Sequence, residues 1–142
     1  YKGEAHFLRG LYYFNLVRLF GDVPWIDKQQ TASDDLQVSR TSKDIVYQHI
    51  IDDFSDAASM LPAVYENTTD IGRATKGAAF GLLAKVYLTL KRYNETLVAI
   101  DSVMNLGVYS LNRKYEWNFS DLRENGPESL FEVQYERCDS IQ

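Results

Sequence analysis

Two histidines, His6 and His49, are the side chains best suited to proton transfer or metal ligation, and each has carboxylates close by in sequence. Glu4 stands beside the first, Asp52 and Asp53 beside the second. His49 and Asp53 are four residues apart and share a helix face, but no His-x-x-x-His or Glu-x-x-His pattern adds the further ligands that a metal needs. Asp52, Asp53 and Asp56 lack the glycine and the ligand rhythm of a calcium loop. These acidic residues therefore read as the solvated outer face of a helix. The stretch GRATKG, Gly72 to Gly77, sets a lysine and glycines ahead of a helix, yet a phosphate-binding loop needs Gly-Lys-Ser/Thr after a buried strand. Here the order is Lys-Gly and no strand precedes it. Cys138 has no histidine signature around it, and no serine sits in a Gly-x-Ser-x-Gly turn. The sequence predicts no enzyme and no cofactor.

Binding chemistry is better represented. The aromatic share is 13%, led by ten tyrosines, and Trp25, Trp117, Tyr109, Tyr115 and Phe119 have rings able to stack on a sugar or a peptide. Trp25, Trp117 and Tyr115 are taken as the ligand-contact candidates, against the commoner use of such rings in a helical core. Trp25 follows Gly21 and Pro24 in RLFGDVPWID, where it is either a platform or a clasp for the chain leaving a helix. Arg73 and Lys76 fall at a predicted helix N-terminus, where the dipole disfavours cations, so each is expected to find a carboxylate or to face solvent. Asp70 and Asp101 are the candidate partners.

The elements that position these residues follow from breakers and apolar period. With 142 residues the chain is about one domain long, and its net charge of -5, with both signs interspersed, disfavours nucleic acid and anionic membrane surfaces as partners. It opens at Tyr1 without a methionine and shows no leader or bilayer-spanning run, so it reads as an excised piece. A single cysteine assigns no redox compartment. Residues 3–20 carry apolar side chains on more than one face, which predicts a helix packed on several sides and stopped by Gly21 and Pro24. A polar loop over 27–41 follows. Thr41 and Asp44 resemble a capping box for a helix over 42–60, with Tyr47, Ile50, Ile51, Phe54, Ala57, Ala58 and Leu61 at helical spacing.

Thr75 is placed to cap a third helix over 75–90, in which Gly77, Ala78, Ala79, Gly81 and Ala84 allow close approach. Leu82, Leu83, Val86, Tyr87 and Leu90 form its stripe. After the short turn KRYN, Asn94 is placed to cap a fourth helix over 94–106 bearing Leu97, Ile100, Val103 and Met104, and so short a link makes the pair antiparallel. Residues 107–128 have no helical period. Phe131, Val133 and Tyr135 alternate with Glu132 and Gln134, which predicts a strand over 129–135.

Phe80, Leu83, Ala84 and Tyr87, with Ile100 and Val103, fall at the offsets of a tetratricopeptide repeat, although Thr96 and Val108 depart from it. The expected architecture is mainly all-α: two antiparallel tetratricopeptide-like hairpins with long loops and a short C-terminal strand. Gly21, Pro24, Arg73, Gly77, Leu83, Ala84 and Tyr87 are the expected structural positions.

Four stretches, EAHFLRGLYYFNLVRLFGDVPWI, DIVYQHIIDDFSDAASMLP, GRATKGAAFGLLAKVYLTLKRYNETLVAIDSVMNLGVYSL and ESLFEVQY, resemble in order and spacing the SusD/RagB family of nutrient-binding outer-membrane lipoproteins. The resemblance covers nearly the whole chain, 1–142, as a single partial domain of the larger SusD-like α/α fold. It implies a surface-exposed, lipid-anchored protein that captures an oligosaccharide or other nutrient without covalent chemistry and delivers it to a SusC-like TonB-dependent transporter. The implied membrane attachment is an N-terminal lipid anchor absent from this chain, and the helices would serve as scaffold and transporter contact. A protein-interaction module of tetratricopeptide type, indifferent to sugars, is the alternative.

Overall fold

Gly21, at φ 69°, ends the first helix, α1 (Lys2–Phe20), and its N–H closes back on Val17 O at 3.0 Å. The computed structural model describes residues 1–31 and 37–134. Asp22 and Val23 then turn the chain toward the start of α2 (Lys43–Met60). Val23 and Thr41 form an isolated antiparallel bridge, and the Asp22 carboxylate accepts the Lys43 N–H at 2.8 Å. The capping box expected of Thr41 and Asp44 is therefore not used: Ser42 is the N-cap residue, and the orphan N–H of Lys43 is satisfied from the end of the preceding helix.

Thr75 Oγ1 accepts from Ala78 N at 3.2 Å to cap α3 (Lys76–Thr89), and the Lys76 N–H reaches Pro62 O at 2.8 Å, tying the start of α3 to the end of α2. Lys91, at φ 58°, makes the turn into α4 (Tyr93–Met104), whose N-cap is Arg92 rather than a residue at Asn94. The Arg92 N–H returns to Tyr87 O at 2.9 Å, so a left-handed residue between two helices closes the hairpin.

The four helices stack in sequence order, α1 on α2, α2 on α3 and α3 on α4. One stripe of α1, comprising Gly3, Phe7, Gly10, Phe14 and Val17, is buried against Val46, Ile50, Phe54 and Ala57 of α2. Gly10 lies against the Phe54 ring, and Phe7 meets Phe54 edge-on at 5.9 Å. The expectation of an α1 packed on several sides is corrected: Tyr12, Leu19 and Phe20 are exposed, because α1 has helix neighbours on one side only. A second correction concerns α4. It buries Thr96 and Ala99 against α3, with the Thr96 hydroxyl bonded to Arg92 O at 2.9 Å, and leaves Leu97, Ile100 and Met104 outside. In α3, Leu83, Ala84 and Val86 are buried and Tyr87 is half-buried under the Arg92 guanidinium.

From Gly107 to the last described residue, 134, the chain is irregular apart from 3-10 turns at Tyr115–Phe119 and Asp121–Arg123. The strand expected over 129–135 is absent from its described part, 129–134. Val133 of the expected alternation is exposed, and the segment packs through other residues instead. Leu130 seats on Gly81, Phe131 packs on the Phe7 ring at 4.9 Å, and Gln134 covers Gly72 while exchanging hydrogen bonds with Asn125. Tyr135 and Cys138 lie outside the described residues.

Candidate functional site

The Trp25 ring is crowded from three sides. His49 stacks on it at 4.5 Å and 19°, Tyr13 tilts against it at 4.2 Å, and the Arg9 guanidinium stands 5.0 Å from its centre. Tyr13 also holds the backbone around the tryptophan: its hydroxyl donates to Pro24 O at 3.2 Å and accepts from Ile26 N at 2.9 Å. These contacts join the segment after α1 to both helices of the first hairpin, and little ring surface remains for a ligand.

Behind it lies a polar cluster. Asp53 is buried at 2% exposure, which corrects its assignment to the outer face. Arg9 grips it with two hydrogen bonds, 2.8 Å from Nε and 2.7 Å from Nη2, and His6 Nδ1 donates to the same carboxylate at 2.7 Å. Because a carboxylate only accepts, the proton sits on Nδ1 of His6. Asp53 thus joins α2 to α1 across 44 and 47 residues, distances that no local motif signals. His49 faces Trp25, not Asp53. Among the described residues, no group of three or more His, Cys, Asp or Glu is placed to hold a metal.

Arg73 takes Asp70, as expected, at 2.7 Å; it does not take Asp101, and its main partner is Glu4, held by two hydrogen bonds of 2.6 Å. Arg73 holds the Glu4 carboxyl below the usual carboxylate range, and the two carboxylates push the guanidinium further up. Tyr1 and Tyr65 flank the guanidinium at 5.1 and 5.3 Å. Tyr109, weighed as a stacking ring, instead covers Gly77 and shares a hydrogen bond of 2.9 Å with Thr75.

The segment 107–134 places its aromatic residues differently from Trp25. Tyr115 and Phe119 meet edge-on at 5.3 Å yet remain 77% and 75% exposed. The half-buried Trp117 ring is covered by the Arg123 guanidinium at 3.8 Å. Phe119, but neither Tyr115 nor Trp117, lines one of two adjoining cavities of about 350 and 310 Å³, which share Asn118, Arg123 and Glu132 in their walls. Glu128 and Ser129 line the first, Glu124 and Phe119 the second. The walls are braced. Glu128 accepts from Asn112 N at 2.9 Å and from the Asn118 amide at 3.1 Å, bonds that lower its pKa and keep it ionised. Glu132 accepts from Asn125 N at 2.9 Å. The structure therefore brings Tyr115 and Trp117 to one segment and keeps Trp25 on the first hairpin. Sequence reasoning missed Asn118, Arg123, Glu128 and Glu132; the readable signal was the interleaving of Asn, Arg and Glu with aromatic residues from 112 to 132.

A stack of two helical hairpins carrying an irregular, aromatic-edged segment defines a tetratricopeptide-like scaffold. The chain belongs to the SusD-like family: residues 1–88 match the family described as "Starch-binding associating with outer membrane". It is 35% identical over 105 residues to SusD-like protein P2 of Formosa agariphila, a match covering 72% of this chain and 20% of that protein. A SusD-like protein of Bacteroides fragilis has a similar structure, with a TM-score of 0.86 and 37% identity over 96% of this chain and 27% of the other. A laminarin-binding SusD-like protein aligns with a TM-score of 0.76 and 30% identity, covering 87% of this chain and 28% of its own. The chain thus spans about a fifth to a quarter of the relatives it matches.

Proposed function

We propose that this chain is part of a glycan-binding protein at the bacterial outer-membrane surface, which passes captured oligosaccharide or another nutrient to a SusC-like TonB-dependent transporter. The observation that carries the reading is family membership, together with a laminarin-binding relative of the same fold at 30% identity. The local chemistry agrees with it. Sugars present an apolar face and a hydroxyl rim, and the 107–134 segment offers exposed rings beside Asn, Arg and Glu side chains. In this reading Tyr115 and Trp117 contact ligand, the helices are scaffold and transporter contact, and Trp25 is a clasp. Binding is non-covalent, without cofactor, and the protein is not an enzyme.

Exposed apolar side chains on α1 (Tyr12, Leu19, Phe20) and α4 (Leu97, Met104) favour one second reading, a protein-interaction module that ignores sugars. Titrating a glycan panel into the whole encoded polypeptide, with a parallel pull-down of the transporter, separates the two. The proposal expects a saturable glycan signal; a silent panel with clear protein capture overturns it in favour of the second reading.

A further inference from the structure

The paired cavities between 112 and 132 carry a statement about ligand charge. Three carboxylates, Glu124, Glu128 and Glu132, line them, against the single guanidinium of Arg123. That guanidinium is already laid over Trp117 at 3.8 Å. Of the other nearby cations, Lys114 is paired with Glu116 at 3.6 Å, and neither it nor Arg113 lines either cavity. An anionic ligand entering these cavities meets like charge, whereas a sugar hydroxyl meets acceptors: a carboxylate offers about four lone-pair positions, and Glu132 spends Oε2 on Asn125 N. Asn118 and Ser129 add neutral donors and acceptors. At the rim of the second cavity, Phe119 stays open to solvent although it meets Tyr115 edge-on, which leaves ring surface for the apolar side of a pyranose ring.

We propose that these cavities form an oligosaccharide subsite that takes neutral sugars and rejects uronates and sulfated sugars, with Glu132 accepting from ligand hydroxyls and Phe119 stacking at the rim. The inference rests on the glycan-binding reading above and adds the ligand's charge class and place.

The test is calorimetric titration of the whole encoded polypeptide with neutral gluco-, manno-, xylo- and galacto-oligosaccharides and with oligouronates and sulfated oligosaccharides of matched length. The expected result is binding confined to neutral members. Glu132→Gln weakens it about ten- to a hundredfold, as loss of a charge-assisted hydrogen bond would, and Phe119→Ala about three- to tenfold. Phe119 supports little packing, so its variant keeps the wild-type melting curve. An acidic member binding as tightly as the neutral ones overturns the charge class, and a neutral binder indifferent to both substitutions overturns the location; glycan capture survives either result. A panel silent in every member overturns glycan capture itself and this subsite with it.

Discussion

The ring of Tyr109 occupies the space a side chain at position 77 would need: a Cβ on Gly77 would overlap both Cε2 and the hydroxyl of Tyr109. The ring is held there by Thr75, the residue that caps α3, so a glycine, a cap and an aromatic lid form one device at the helix start. Gly77→Ala gains about 1 kcal/mol of helix propensity but loses about 1–3 kcal/mol to overpacking. The balance falls on the side of the clash, and we expect a net loss of up to about 2 kcal/mol in urea unfolding. Adding Tyr109→Ala removes the obstacle, so the double variant should lose less than the sum of the two single ones.

Removing the Asp53 carboxylate is expected to be the more damaging change. Asp53→Ala strips Arg9 of two hydrogen bonds and His6 of one, at a site where Asp53 is 2% exposed. Breaking a buried pair costs roughly 3–5 kcal/mol. The Arg9 side chain is 32% exposed and regains some hydration, which brings the expected loss down to about 2–4 kcal/mol. A denaturation midpoint within experimental scatter of the wild type would show that the cluster contributes no net stability.

The limits at Gly21 and Thr75 were legible because their signals are local, a positive φ and a cap within its own turn, although the caps read at Thr41 and Asn94 are not the ones used. What failed was anything fixed by distant residues. Asp53 looked like one of three solvated aspartates because its partners lie a helix away, on α1. Glu4 was invisible as the partner of Arg73 across 69 residues, whereas Asp70, three residues off, was found. The alternation at 131–134 was read as a strand, since period two does not distinguish a ladder from an extended segment laid over helices. The aromatic candidates Tyr115 and Trp117 were readable by type, but the polar walls that Phe119 joins arise from a chain path that no short motif encodes.

Acid should weaken the fold through Glu4. Its folded pKa lies below its ordinary value because Arg73 hydrogen-bonds the ionised carboxylate. A depressed folded pKa means that the stabilisation is fully present above the unfolded value, about 4.3, and is lost as pH falls through the folded one. Glu128, lowered by Asn112 and Asn118, adds in the same direction. Unfolding free energy measured from about pH 5 to about pH 3 should therefore fall less steeply in Glu4→Gln than in wild type. Equal slopes would remove Glu4 from the account.

Trp25 offers the sharpest separation of scaffold from site. With His49, Tyr13 and Arg9 around its ring, and Tyr13 bonded to the backbone on either side, the tryptophan holds the α1 exit against both helices of the first hairpin. Trp25→Ala removes a large half-buried ring. A fully buried aromatic costs roughly 3–5 kcal/mol on truncation to alanine, so we expect about 2 kcal/mol here and an earlier melt. Glycan affinity, measured below the melting range, should stay within about twofold, because one stacked ring lost from a binding site costs up to about tenfold. Lost affinity with an unchanged melt would reverse the assignment and make Trp25 the platform. Tyr13→Phe gives the independent check: it removes both backbone hydrogen bonds without opening the ring stack, so it should loosen the clasp and lower stability by about 1 kcal/mol while leaving binding alone.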